Sequence, residues 1–217
     1  MRENADVPVR QYTQILACVV ALFVVQAAFA EGAVMRVAQV ALAGTALVLA
    51  AQLESGHPRI RRAAWAVSAS AMVLAGLQLL GRDQPEAGGG LLLVNGLLVA
   101  AGPVLIFDSM RRHLEVSVRT VIGAITVYIL FGLFFAFVYR SILLFDPASF
   151  TTGAGTLSPA SMQYFSFVTL TTVGFGDITP VSNGARTLVG LQALLGQIYL
   201  VTVVAVVVGN LGRRRAS

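Results

Sequence analysis

Long apolar runs limit this chain more than any other feature. Tyr12–Ala30, Ala33–Leu53, Ala63–Leu80, Gly90–Phe107, Val118–Tyr139 and Gly184–Gly209 are each close to or beyond the ~20 residues needed to cross a bilayer core. The chain is 57% hydrophobic and only 12% charged, with a mean hydropathy of +0.80, which excludes an ordinary soluble domain. The expected class is an all-α membrane protein with six transmembrane helices. A shorter apolar stretch, Pro159–Thr171, lies between the last two runs and is too short to cross. It reads as a re-entrant helix, which is tolerated at membrane depth only where protein or water surrounds it.

The basic residues set the orientation. All are arginine; there is no lysine. With the amino terminus in the cytoplasm, the inner side holds Arg2, Arg10, Arg59, Arg61, Arg62, Arg111, Arg112, Arg119, Arg213, Arg214 and Arg215. The outer side then holds Arg36, Arg82, Arg140 and Arg186. Eleven against four is the positive-inside bias, and the reverse orientation would violate it. The net charge of +5 therefore reads as topology, and no nucleic-acid or soluble-substrate partner is expected. Both termini are expected in the cytoplasm. Ala28-Phe29-Ala30 has the form of a signal-peptidase site, but Glu3, Asp6 and the length of the run favour a retained helix. Lone Cys18 makes neither an intramolecular disulfide nor a cysteine metal cluster. His57 and His113 fall in cytoplasmic loops beside arginines and read as solvated residues.

On this topology one segment faces outward with unusual chemistry. Residues 164–180 read Tyr-Phe-Ser-Phe-Val-Thr-Leu-Thr-Thr-Val-Gly-Phe-Gly-Asp-Ile-Thr-Pro. A dehydrated cation needs several oxygen ligands, and backbone carbonyls supply them without a fixed charge that would trap it. Carbonyls that face one axis require residues outside the ordinary backbone regions, which glycine reaches without a Cβ penalty. Gly174 and Gly176, alternating with Val173 and Phe175, meet that need, and Thr172 adds a hydroxyl at the inner end. Ser158 and Pro159 read as cap and first residue of the preceding helix.

The run Thr172-Val173-Gly174-Phe175-Gly176-Asp177 resembles the selectivity filter of potassium channels in the tetrameric cation channel superfamily. The resemblance implies that Thr172, Val173, Gly174, Phe175 and Gly176 line the ion path, with carbonyls of the first four holding potassium. Phe175 replaces the tyrosine commonest in that family. Tyr164-Phe165 stands where many members carry two tryptophans, and Tyr164 is expected to donate to Asp177 at the outer mouth. Four copies of Asp177 would form an acidic ring that concentrates cations. Gly196 matches the family's hinge glycine in spacing, and Val204 and Val208 are expected to gate by dewetting.

The chain divides into a four-helix domain at 1–107, an amphipathic linker at 108–117 and a pore domain at 118–217, resembling six-helix channel subunits. The fourth apolar run contains no basic residue. It lacks the arginine ladder of a voltage sensor, where each charge moved is worth about 2.3 kcal/mol per 100 mV. Gly102-Pro103 is expected to kink this helix. Only eight residues follow Gly209, so no cytoplasmic ligand-sensing domain is expected. The expected function is passive, potassium-selective conduction by a homotetramer in membrane lipid, without steep voltage gating. The alternatives are a weakly selective cation channel and a non-conducting pore-fold scaffold or partner subunit. No enzymatic constellation is present and no cofactor is expected beyond potassium as the permeant ion. The lysine-free, Ala/Val/Arg-rich composition points to a bacterial inner (plasma) membrane.

Overall fold

The computed structural model describes residues 9–28, 33–53, 58–79, 96–97, 99–106, 118–153 and 156–213. The chain is predominantly helical: α1 Val9–Ala28, α2 Ala33–Gln52, α3 Pro58–Leu79, a helical stretch at 96–97 and 99–106, α4 Val118–Phe145, α5 Pro159–Leu170 and α6 Asn183–Arg213. Two three-residue strands, β1 Phe150–Thr152 and β2 Ile178–Pro180, flank α5 in sequence. Among the described residues, three helices are long and apolar enough to cross a membrane: Val9–Ala28, Val118–Phe145 and Asn183–Val203. The α2 helix contributes a shorter apolar segment, Val37–Gln52. The α3 helix is 22 residues long but opens with Arg59, Arg61 and Arg62. The linker at 108–117 lies outside the described residues.

The membrane supplies no hydrophobic drive between helices, so they associate through close packing and internal hydrogen bonds. In α1 the buried residues Tyr12, Ile15, Val19, Leu22 and Gln26 recur every three or four positions, one stripe of a 3.6-residue helix. That stripe shares a core with Val40, Ala43, Ala46, Leu47 and Ala50 of α2 and with Leu130, Leu133 and Phe137 of α4. The α2–α3 crossing uses small residues. A Cβ on Gly44 would stand 3.1 Å from Ser68 Cβ, and Ser68 Oγ donates to the Gly44 carbonyl at 3.3 Å. Gly102 packs against Leu130, and residues 99–106 run helically through Pro103.

At the far end of α4, Asp146 accepts from Ala148 N and Ser149 Oγ at 3.2 and 2.6 Å, capping a short 3₁₀ turn at Pro147–Ser149. The chain then enters β1, which pairs antiparallel with β2 in the register Phe150↔Pro180, Thr151↔Thr179 and Thr152↔Ile178. This two-stranded clasp fixes both ends of the segment between α4 and α6. Beneath it, Phe135, Tyr139, Phe150, Met162, Phe165, Ile178 and Ala185 form a second core. Tyr139, Phe150 and Phe165 meet edge to face there, with centroids 5.3–5.6 Å apart, a favoured aromatic geometry.

Candidate functional site

The site begins with a short, firmly started helix. Ser158 Oγ accepts from Ser161 N at 3.1 Å, and Ser161 Oγ accepts from Ser158 N at 3.2 Å. With Pro159 at the first helical position, this is a reciprocal capping box. The α5 helix has 12 residues and spans about 18 Å, well short of a bilayer core.

Its other end is closed as fully. Thr172 N donates to Thr169 O and Val173 N to Val168 O, both at 3.0 Å. Together with Thr172 at φ +60°, these bonds make a Schellman motif. The position usually held by glycine is held here by a β-branched residue, at a cost of roughly 1–2 kcal/mol. The Phe167 carbonyl accepts from Thr171 N at 2.9 Å and Thr171 Oγ1 at 2.7 Å. The Leu170 carbonyl accepts from the Tyr128 hydroxyl at 3.1 Å. Three of the four carbonyls that the helix end leaves open, those of Val168, Thr169 and Leu170, thus have donors, which blunts the negative pole that α5 presents to a cation. The free oxygens lie in the segment that follows.

In that segment the left-handed residues are Thr172 (φ +60°), Gly174 (φ +59°) and Gly176 (φ +79°). Val173 and Phe175, between them, keep ordinary negative φ. A regular strand turns successive carbonyls to opposite sides, and inverting every second φ is the backbone pattern that lets them share one. Among the described residues, no donor reaches the carbonyl of Thr172, Val173, Gly174, Phe175 or Gly176. The side chains of Val173 and Phe175 are 53% and 68% exposed on the single chain. Beyond them the chain is held again, where Gly153 N donates to the Asp177 carbonyl at 3.4 Å. Tyr164 stacks parallel on Phe175 with centroids 6.3 Å apart. Desolvation, then the hydrogen bond and charge of Asp177, push the Tyr164 phenol above its ordinary range. Tyr164, Phe175 and Asp177 therefore meet at the end of the segment away from α5's carboxyl terminus.

Three helices hold α5 in place. From α4, the Gly132 carbonyl accepts from Ser166 Oγ at 2.7 Å, and the missing Gly132 side chain admits the Phe167 ring. Tyr128, which reaches the Leu170 carbonyl, stacks on Tyr199 of α6 at 5.9 Å, and Tyr199 donates to the Ala124 carbonyl at 2.7 Å. From α6, Gln192 donates to Ser166, and Gly196 lies against Leu170. From α1, the Phe23 carbonyl accepts from Gln163 Nε2 at 3.0 Å, and the Phe23 ring meets Phe167 edge-on at 4.9 Å.

Sequence reasoning passes over Ser166, Gln192, Tyr128 and Tyr139, and it finds Gly174 and Gly176 but not the left-handed Thr172. The available signal was polarity within apolar helices, where a buried amide or hydroxyl needs a partner. Gly196, expected as a hinge, also lies in close contact with α5: an added Cβ would stand 2.6 Å from Leu170 Cδ1 and 3.1 Å from its carbonyl oxygen. The side chains of Val204 and Val208 lie outside the described residues.

Residues 124–212 match a protein-family model described as ion channel. Over these residues the chain is similar to an ion channel domain. The match takes in most of α4, the capped helix α5, the 172–177 segment and nearly all of α6, leaving the preceding helices outside it. No curated protein and no solved structure matches the chain.

Proposed function

We propose that this chain is one subunit of a homotetrameric, potassium-selective channel with residues 172–176 as its filter. The observation that carries the reading is the alternating backbone at Thr172, Gly174 and Gly176, which leaves five consecutive carbonyls without donors among the described residues. Irregular backbone of this kind is stable at membrane depth only against protein or a water-filled path. A single chain supplies neither, since Val173 and Phe175 are mostly exposed. One face of α6 points the same way: Leu194, Ile198 and Val201 are 53–59% exposed. Copies around a common axis cover both surfaces, and four strands supply the ring of oxygens that replaces a cation's water.

In this reading ions move down their gradient by exchanging water for carbonyls, with repulsion between neighbouring sites assisting exit. Asp177 concentrates cations at the outer mouth. The chain crosses the membrane six times with both termini in the cytoplasm of a bacterial cell, as the arginine distribution favours. Gly196, Val204 and Val208 remain the proposed hinge and gate.

The test is reversal potential in mixed potassium and sodium after reconstitution into liposomes, for wild type and Gly174→Ala. The added methyl meets nothing within 4 Å on the single chain, yet it sits at φ +59°, so its cost is conformational. At roughly 1–2 kcal/mol per chain, a tetramer loses about 4–8 kcal/mol from the conducting geometry. Loss of selectivity in the variant is expected. Selectivity that persists in it overturns the filter assignment. Equal permeation of both ions by the wild type favours the weakly selective channel, and absence of flux favours the scaffold.

A further inference from the structure

We propose that Gln192 is a positioning residue for the filter, the amide that ties the inner helix and the outer helix to the filter's supporting helix. The inference rests on the channel reading above. Gln192 Oε1 accepts from the Tyr139 hydroxyl of α4 at 2.5 Å. Its Nε2 donates to Ser166 Oγ at 2.8 Å and to the Ser166 carbonyl at 3.1 Å, both on α5. Ser166 Oγ passes the chain on by donating to the Gly132 carbonyl at 2.7 Å. Gln192 and Ser166 are 0% exposed, and so is Tyr139. Every donor and acceptor of the amide is used, so the network is satisfied, the condition under which buried polar groups specify one arrangement.

The chemistry is specific to an amide of this length. A carboxylate accepts from Tyr139 but donates nothing to Ser166 and sets its second oxygen against the Ser166 carbonyl. A thioether of the same reach fills the space and makes none of the three bonds.

The location gives the network its consequence. One turn below it, Gly196 lies against Leu170, so the pairs 192–166 and 196–170 keep the same offset along α5 and α6. On the other side, the pairs 132–166 and 128–170 follow one antiparallel register along α4 and α5. Ser166 is therefore gripped by both flanking helices, and Leu170, its neighbour one turn on, leads into the strained turn at Thr172. A shift of the outer half of α6 moves Ser166 with it. Beyond Gly196, Tyr199 ties α6 to α4 through the Ala124 carbonyl at 2.7 Å, but no described hydrogen bond joins that part of α6 directly to α5. Gln192 thus supplies the direct hydrogen bonds from the inner helix to α5 and transmits that helix's position to the carbonyl strand.

The experiment uses the full-length chain in detergent and in liposomes, with Gln192→Met, Gln192→Glu, Tyr139→Phe and the Gln192→Met/Tyr139→Phe pair. Two readouts are taken: the potassium-to-sodium permeability ratio, and hydrogen–deuterium exchange of the Thr172–Asp177 amides. The expected result for Gln192→Met is an oligomer that still conducts, with a ratio lowered about tenfold or more, as the loss of the amide's three buried hydrogen bonds predicts, and with faster exchange at 172–177. Tyr139→Phe should add little once Gln192 is gone. If Gln192→Met does not assemble, Gln192→Glu and Tyr139→Phe carry the same two readouts. An unchanged ratio together with unchanged exchange in an assembled variant overturns the proposal. A wild type that does not discriminate potassium refutes the channel reading instead, and the exchange measurement then still decides whether Gln192 positions this segment.

Discussion

Replacing Gly132 by alanine probes the contact that seats α5 against α4. The new Cβ would stand 2.5, 2.8 and 2.9 Å from three carbons of the Phe167 ring, where carbon atoms normally settle at about 3.5–4.0 Å. Relief needs a movement of about 1 Å. The ring has little room to retreat, because Phe23 of α1 meets it edge-on at 4.9 Å. The backbone does not yield freely either, because the Gly132 carbonyl holds Ser166 Oγ at 2.7 Å. Overpacking of this kind costs about 1–3 kcal/mol per chain. We expect Gly132→Ala to lower the apparent melting temperature in detergent and to reduce ion flux at equal protein incorporation. Phe167→Leu in the same chain removes the far edge of the ring and should recover much of the loss, a coupling of about 0.5–3 kcal/mol. Gly153→Ala, whose Cβ meets nothing within 4 Å, serves as the neutral control. The reasoning is refuted if Gly132→Ala melts with the wild type, or if Phe167→Leu deepens its defect.

Two further perturbations test the ends of α5. Thr172→Gly removes the left-handed strain at φ +60° of roughly 1–2 kcal/mol while giving back about half through unfolded-chain entropy. The variant should melt slightly higher without potassium but gain less stability when potassium is added, since one hydroxyl is lost; a lower melting temperature without potassium argues against strain. Ser158→Ala removes the capping box and should cost about 1 kcal/mol, read by thermal melting, while Ser158→Asp should keep most of it; equal losses in both would discount the cap.

The readable parts of the sequence share one property: their cause is local. Ser158-Pro159 announces a helix start through a side-chain oxygen and a missing N–H, and the structure opens α5 there with the box completed by Ser161. The apolar stretch placed at Pro159–Thr171 is helical over Pro159–Leu170, because its far end is set by backbone bonds three to five residues apart. Gly174 and Gly176 announce unusual backbone, and both have positive φ. Thr172 does not, because threonine disfavours the conformation that the Schellman bonds impose. Gln192 and Ser166 are 26 positions apart, and nothing local pairs them. Gly196 is ambiguous by itself: hinge and close contact both call for a small residue, and only the position of Leu170 reveals the packing.

The sequence by itself determined the solvent, the helical class, a helix too short to cross and an oxygen-rich strand after it. These follow from apolar length, arginine placement and glycine spacing, which act within a few residues of each other. Tertiary structure decided which groups brace that strand. Tyr128, Tyr139, Ser166 and Gln192 are isolated polar side chains in apolar helices, and each needs a partner once it leaves water. Which partner it finds depends on how three helices from distant parts of the chain lie against one another.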